Sequence, residues 1–525
     1  MTYPRNLLAL AALGLTLVTP LARAQTQADG PSHKECESRA NDTVDKLLEC
    51  IRQDRLWKRL GEFQTIADEN PDSKGHGNRD TGTAGYKASV DHVAKLMRKA
   101  GYKVKIQTYP YSIEVLDGVP RLATGGAALS LGRDWFVARL SPGGQFSAAI
   151  QPVEGDGTGC QALDWHGFTP GRVALLRHGT CPYDRSVELA AQAGARAVVL
   201  YNVVDADAAE SPEAAGPGFG GAFEARLSQV PRIPVIGAVS HRVGAQWLAQ
   251  HRAGQTAEVS VDIRTRRQAG DDYNLIAESP YGDANSTVVV DAHLDSIFGA
   301  GILDNASGST TILEIALKLA KTPTRNRLRY IWFGGEELGL LGSKYYTKHL
   351  TDAQRQRIAF DVDADVTATP NYDYLIADPA EAPNVDQFPP NVVPESKVGN
   401  QLFEDYFKSV NVPAQSAWFG NQGTDSNAFS LIGIPNTGIL TQQNCCKKSW
   451  EVAIWGGTIG NYEGKIPGTD GGCVDTPRRW CDNLSNNDPV VLERASKATA
   501  YVVFNLANHD FSAAHRRERV SGLTR

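Results

Sequence analysis

Apolar positions along the chain follow two different periods. In 43–70, Leu47, Leu48, Ile51, Leu60, Phe63 and Ile66 recur at helical spacing and predict a helical stretch with apolar stripes. The segment 75–111 reads as a polar loop, an amphipathic helix and a strand. Val288, Val289 and Val290 predict a short buried strand, followed by a glycine-rich loop and by SGSTTILEIALKLAK, where Ile312, Ile315, Ala316 and Leu319 return to helical spacing. LRYIWF reads as the next strand, and FDVDADV as another in which Asp361, Asp363 and Asp365 alternate with apolar or small residues. That acidic spacing mimics the opening of a calcium loop, but Val366 stands where the loop needs glycine, so a strand with one acidic edge fits better. PNYDYLIAD and GIPNTGIL add strands. KVGNQLFEDYFKSV adds a helix, as does 489–508 with Val491, Leu492, Ala495, Ala498, Ala500 and Val503. Strands alternating with helices predict an α/β fold, a mostly parallel mixed sheet sandwiched by helices. From about 126 to 265 the pattern shifts to many short strands and glycine turns, which predicts a small inserted β-rich domain. Its GPGFGG run, 216–221, matches a dinucleotide fingerprint only formally. Pro217 interrupts it, no strand feeds it and no helix follows, so a loop is expected.

At 525 residues the chain has length for two or more domains with their own cores. Arg5, an apolar run over 7–18 and Ala22-Arg23-Ala24 form a secretory leader, with cleavage expected after Ala24; the run is too short for a membrane span. Nothing else approaches spanning length, so a secreted or periplasmic protein without membrane insertion is expected. Loss of Arg5 and Arg23 takes the formal charge from -6 to -8, a poor match for nucleic acid or anionic membranes. The eight cysteines of an exported chain are expected in disulfides. Cys36 with Cys50 and Cys160 with Cys181 are natural local pairs; Cys445 and Cys446 would bridge to Cys473 and Cys481 in an order left open. The basic tail, 511–525, reads as a solvated end.

The chemistry gathers at predicted strand ends. His293 and Asp295 close the valine strand, Asp304 falls at a helix N-terminus, and Glu336 and Glu337 end the following strand. An imidazole with a carboxylate two residues on, and further acids arriving from loops, suits a zinc site. Neighbouring side chains at a strand end diverge, so one glutamate can bind metal while the other serves as general base. His76 and His92 are read as structural or surface residues. No Gly-x-Ser-x-Gly elbow for a serine hydrolase occurs.

Four stretches in order, AHLDS, GILDNASGS, WFGGEELGLLGS and DADVTATPNYDY, resemble the secreted two-zinc aminopeptidases, as does NRDTGTAGYKASVDHVAKLMRKAGY upstream. HGTCPYDRSVELAAQAGARAVVLYN and IPVIG resemble the protease-associated domain found inserted in that family. The resemblance implies a leader (1–24), an N-terminal part of the peptidase domain (25–125), an inserted protease-associated domain (126–265), the main zinc peptidase domain (266–510) and the tail. It implies an exported metallo-aminopeptidase acting on peptides or proteins with a free N-terminus through a metal-bound hydroxide. Two zinc ions are implied, His293 and Asp365 on one, Glu337 on the other and Asp304 bridging, with Glu336 as general base and Asp295 orienting His293. The family's second ion normally takes a histidine from a Cys-Tyr-His-x-x-Cys-Asp segment. The counterpart here runs from Cys473 to Asp482, and Asp475 or Arg478 falls at the histidine's place according to which cysteine sets the register. Asp475 is favoured, since a carboxylate is an acceptable zinc ligand and a guanidinium repels metal. Asp425, in GTDSNAF, aligns with a family aspartate and is a candidate for substrate binding. The same fold hosts carboxypeptidases, glutaminyl cyclases and non-catalytic binding homologues. No basic cluster for a terminal carboxylate is evident, and retention of both Glu336 and Glu337 argues for catalysis. Residue preference and oligomeric state stay open.

Overall fold

The structure, a computed structural model, describes residues 30–511 apart from 73–74, 180, 204–219, 228, 298, 420–422, 442–446, 448 and 459–481. The expected leader, Gly216 of the glycine-rich run, Cys445, Cys446, Cys473, Cys481, Asp475, Arg478 and nearly all of the tail lie outside the described residues.

The main sheet has eight strands: β1 (Lys103–Leu116), β9 (Thr265–Glu278), β10 (Asp283–His293), β11 (Asn326–Phe333), β12 (Ile358–Ala364), β13 (Leu375–Ala377), β14 (Gln415–Ala417) and β15 (Asn436–Leu440). Their spatial order is β1-β9-β11-β10-β12-β15-β13-β14. The four central strands β11, β10, β12 and β15 run parallel, and β1 and β9 form an antiparallel edge. Alternation along β10 explains its burial on both sides. Val288, Val290 and Ala292 join a core with the helices Gln53–Glu69, Ala84–Ala100, Ser307–Leu319, Val392–Ser409 and Pro489–Asn508. Val289 faces the opposite core, with Phe333, Tyr346 and Phe429 from β11 and from the helices Leu341–Lys348 and Ser426–Ser430. The helices begin where local chemistry directs. The Thr83 hydroxyl accepts from Tyr86 N to start one, and the Asp488 carboxylate accepts from Val490 N and Val491 N, with Pro489 in the first turn, to start the last.

The second sheet has seven strands, β2 (Arg121–Thr124), β3 (Ala127–Ala128), β4 (Gly144–Pro152), β5 (Val173–Arg177), β6 (Ala197–Tyr201), β7 (Val235–Val239) and β8 (Glu258–Ile263), in the order β3-β2-β8-β4-β5-β6-β7. Gly125 and Gly126 are the two left-handed residues (φ 55° and 80°) of the tight β2–β3 hairpin turn. Cys36–Cys50 and Cys160–Cys181 are both disulfide-bonded. Among the described residues, no helix is long and apolar enough to cross a membrane.

Candidate metal centre

β10 delivers His293 to the carboxyl end of the parallel strands, where open α/β sheets bind ligands. Its Nε2 lies 3.1 Å from Asp304 Oδ1, 3.3 Å from Asp365 Oδ1 and 4.0 Å from Glu336 Oε2. Ligand atoms of His293, Asp304 and Asp365 all fall within 4.8 Å of one another. Three segments meet to make that group. Asp304 precedes the Ser307–Leu319 helix in a short turn whose Leu303 N and Asp304 N donate to the two carboxylate oxygens of Asp482, at 2.8 and 2.9 Å. Asn305 ties the turn to the end of β12: its Nδ2 donates to Ala364 O, and its Oδ1 accepts from Gly308 N and Val366 N. Asp365 leaves β12 just before Val366, which holds a left-handed φ of 52°. That conformation is costly for a β-branched residue and persists where surroundings over-determine it, here through Asn305 and through Thr441 N donating to Val366 O at 2.8 Å.

Asp295 does more than face the ring. His293 Nδ1 lies 3.2 Å from its carbonyl oxygen and 3.4 Å from its Oδ1. The same carboxylate accepts from Thr81 Oγ1, Glu336 N and Glu337 N, so one buried acid fixes both the imidazole and the turn that carries the two glutamates. Arg79 is fully buried and donates to the carbonyls of Leu294, Ala300 and Gly301 at 2.7 to 2.8 Å, holding the glycine-rich loop.

Glu337 meets two arginines from loops of the second sheet's unit. Arg139 Nη1 donates to the Glu337 carbonyl and lies 3.5 Å from its Oε2, while Arg226 Nη2 lies 3.3 Å from the same oxygen. Arg139 also pairs with Glu224 at 3.2 Å. These arginines carry no local sequence signal, since their partner is remote in the chain. Arg79 and Asp482 did sit in stretches singled out by resemblance, without a role.

Below the centre lie Asp291, Asp361, Asp363 and Asp425, all buried. Burial, then the charge of neighbouring carboxylates, pushes all four carboxyls up, Asp363 to about 7 through burial and Asp365. Asp425, the candidate for substrate binding, is enclosed at the start of the Ser426–Ser430 helix. The carboxylate excess has two further effects. Burial works to lower the His293 pKa, yet Asp365, Glu336, Asp295 and Asp304 outweigh it and raise it well above the usual value. Burial chiefly pushes Glu336 up, with Glu337, Asp365 and Asp425 adding to it against His293. A nearly buried imidazole and carboxylate set with this surplus of negative charge fits a divalent cation, and its N and O donors suit zinc.

Residues 274–503 match the model for peptidase family M28, and 147–247 match the PA domain. An aminopeptidase of Pseudomonas aeruginosa is 31% identical over 469 residues, 87% of this chain and 81% of its own. The probable lipoprotein aminopeptidase LpqL of Mycobacterium tuberculosis is 30% identical over 460 residues, 86% of this chain and 85% of its own. Among solved structures, the aminopeptidase from Aneurinibacillus sp. strain AM-1 shares the fold with a TM-score of 0.65 at 19% identity, over 90% of this chain and 98% of that one. BSAP, a zinc aminopeptidase from Bacillus subtilis, gives 0.53 at 21% identity, over 87% and 95%.

Proposed function

The chain belongs to peptidase family M28 and carries a PA domain, and from that premise we propose that it is an exported zinc aminopeptidase releasing the first residue of peptides with a free N-terminus. The observation that carries the reading is the His293, Asp304 and Asp365 donor group with the Glu336 carboxylate 4.0 Å from the imidazole. His293, Asp304 and Asp365 would hold one zinc. Glu337, with Asp304 shared and a donor such as Asp475, would hold a second. Support for the latter comes from Asp482, which brings the end of the Cys473–Asp482 stretch onto the Asp304 backbone. Zinc bound here supplies Lewis acidity that polarises the scissile carbonyl and renders a water acidic enough to attack near neutral pH.

The protein's own groups manage orientation and protons. Asp295 keeps His293 and the Glu336–Glu337 turn in fixed relation. Glu336 takes the proton of the attacking water on its carboxylate and passes it to the nitrogen of the departing amine, a task suited to a carboxyl that burial has pushed up. Two disulfides support an oxidising location, in keeping with export after cleavage at Ala24.

The test pairs chemistry with metal content. Glu336→Gln should retain zinc and lose kcat by roughly 100-fold or more on a peptide with a free N-terminus, the usual worth of a general base. The wild type should leave the N-acetylated peptide intact. Full activity in the variant, or cleavage of the blocked peptide at the same rate, would remove this reading.

A further inference from the structure

The turn that carries Glu336 and Glu337 is held from two parts of the chain. Its two amides donate to the Asp295 carboxylate, and the Glu336 carbonyl accepts from Gly339 N and Leu340 N at 2.9 and 2.8 Å. The Glu337 carbonyl accepts from Arg139 Nη1, a donor that belongs to the inserted domain. The same guanidinium lies 3.5 Å from Glu337 Oε2 and 3.2 Å from Glu224 Oε2, so its fork spans backbone and side chain of the turn while a carboxylate of its own domain braces it.

The inserted domain fixes Arg139 firmly. Its side chain is 8% exposed. Its backbone runs beside β7, where Ala138 N donates to Val235 O, Arg139 N to Ala225 O and Ala225 N to Gly237 O. Ala138 and Leu140, on either side, are buried in the second sheet's core, and Leu338, Leu341 and Tyr345, which follow the two glutamates in sequence, pack against that core. Leu140 also holds a left-handed φ of 64°. That conformation is costly for leucine, and such outliers gather where a side chain with a task must be aimed.

We propose that Arg139 is a positioning residue for the glutamate turn, and that the inserted domain thereby completes the active site. It acts through the Glu337 carbonyl on the neighbouring residue. With the amides fixed by Asp295 and the carbonyl by Arg139, the Glu336 carboxylate is held in one place relative to His293, 4.0 Å away. This rests on the reading of Glu336 as general base. A lysine at 139 offers charge and donors but no planar fork to reach carbonyl and carboxylates together.

The experiment is a double-mutant cycle on the zinc-loaded, full-length mature protein: kcat, KM on a peptide with a free N-terminus, and zinc content are read for wild type, Arg139→Met, Glu336→Gln and the double variant. Arg139→Met should lower kcat roughly tenfold or more, the scale on which a displaced catalytic group costs rate, with KM and zinc content unchanged. Arg139→Lys should lie between it and wild type. In the Glu336→Gln background the methionine should cost nothing further, since no general base is left to misplace. An unchanged kcat in Arg139→Met, a loss confined to KM or accompanied by loss of zinc, or equal losses with and without Glu336 overturns the inference and leaves the general-base reading standing. Full activity in Glu336→Gln removes that reading, and the inference with it. Circular dichroism checks folding, and the lysine variant carries the cycle should the methionine variant misfold.

Discussion

His178, just past β5, shows how one residue's surroundings become a property of the whole. Its Nδ1 lies 2.6 Å from the Tyr183 hydroxyl, and its ring packs edge-on against Phe223. Burial, helped by the charge of Arg177, lowers its pKa from 6.5 to about 4. The folded protein therefore binds fewer protons here than the unfolded chain once the pH falls below the ordinary histidine value. Stability from this residue is complete above that value, declines as pH falls toward about 4, and is constant below. Between pH 7 and pH 5 the loss should be about 2 kcal/mol. His178→Gln should show correspondingly less acid destabilisation in urea unfolding; an identical pH dependence would refute the assignment. Glu336 and Glu337 make the same point without titration. They are the same residue at adjacent positions, yet one leans toward His293 and the other toward two arginines, because the Asp295 carboxylate holds both of their backbone amides.

The junction between β12 and the Ser307–Leu319 helix is as close as backbone permits. A Cβ on Gly308 would stand 2.0 Å from Ala364 O and 2.4 Å from Asn305 Oδ1, both already committed to the bonds that position Asp304 and Asp365. Gly308→Ala should cost about 1–3 kcal/mol in unfolding free energy and should weaken zinc binding at the His293 group, measured by chelator competition. Unchanged affinity would mean that the junction does not govern the site. Elements of this kind were legible in the sequence. The valine strand, the helix after Asp304 and the paired glutamates each announce themselves by local periodicity, and in a parallel sheet strand ends converge, so local signals sufficed to gather His293, Asp304, Glu336 and Asp365. The rest was not local. Arg139 and Arg226 reach Glu337 from connecting segments of the second sheet's unit, and Arg79 acts through three carbonyls that no pattern of side chains encodes. The enclosure of Asp425 under the packed Leu341–Lys348 and Ser426–Ser430 helices was not legible either, since those helices come from separate parts of the chain.

Over the whole molecule, the β1–β9 ribbon links the two sheets, and the second sheet's core takes in Tyr109, Tyr111 and Ile113 of that ribbon with Leu338, Leu341 and Tyr345 packed against it. β1 and β9 pair residue by residue from Lys103 with Glu278 to Leu116 with Thr265. The Cys160–Cys181 bridge, closing a separation of 21 residues, belongs wholly to the second sheet's unit. Replacing both cysteines by serine should lower that unit's unfolding free energy by about 3 kcal/mol while leaving zinc affinity of the His293 group unchanged, as calorimetry and metal titration would show; a parallel loss of metal would reveal one cooperative body. The ribbon has a meaning for descent as well. It is a hairpin whose turn has been replaced by a domain, with entry and exit residues facing each other across one ladder rung. A lineage can gain or shed such a passenger without shifting the register of any strand that leads to His293, Glu336 or Asp365. Selection would feel the change at Glu337, where the two arginine charges arrive or vanish with the domain.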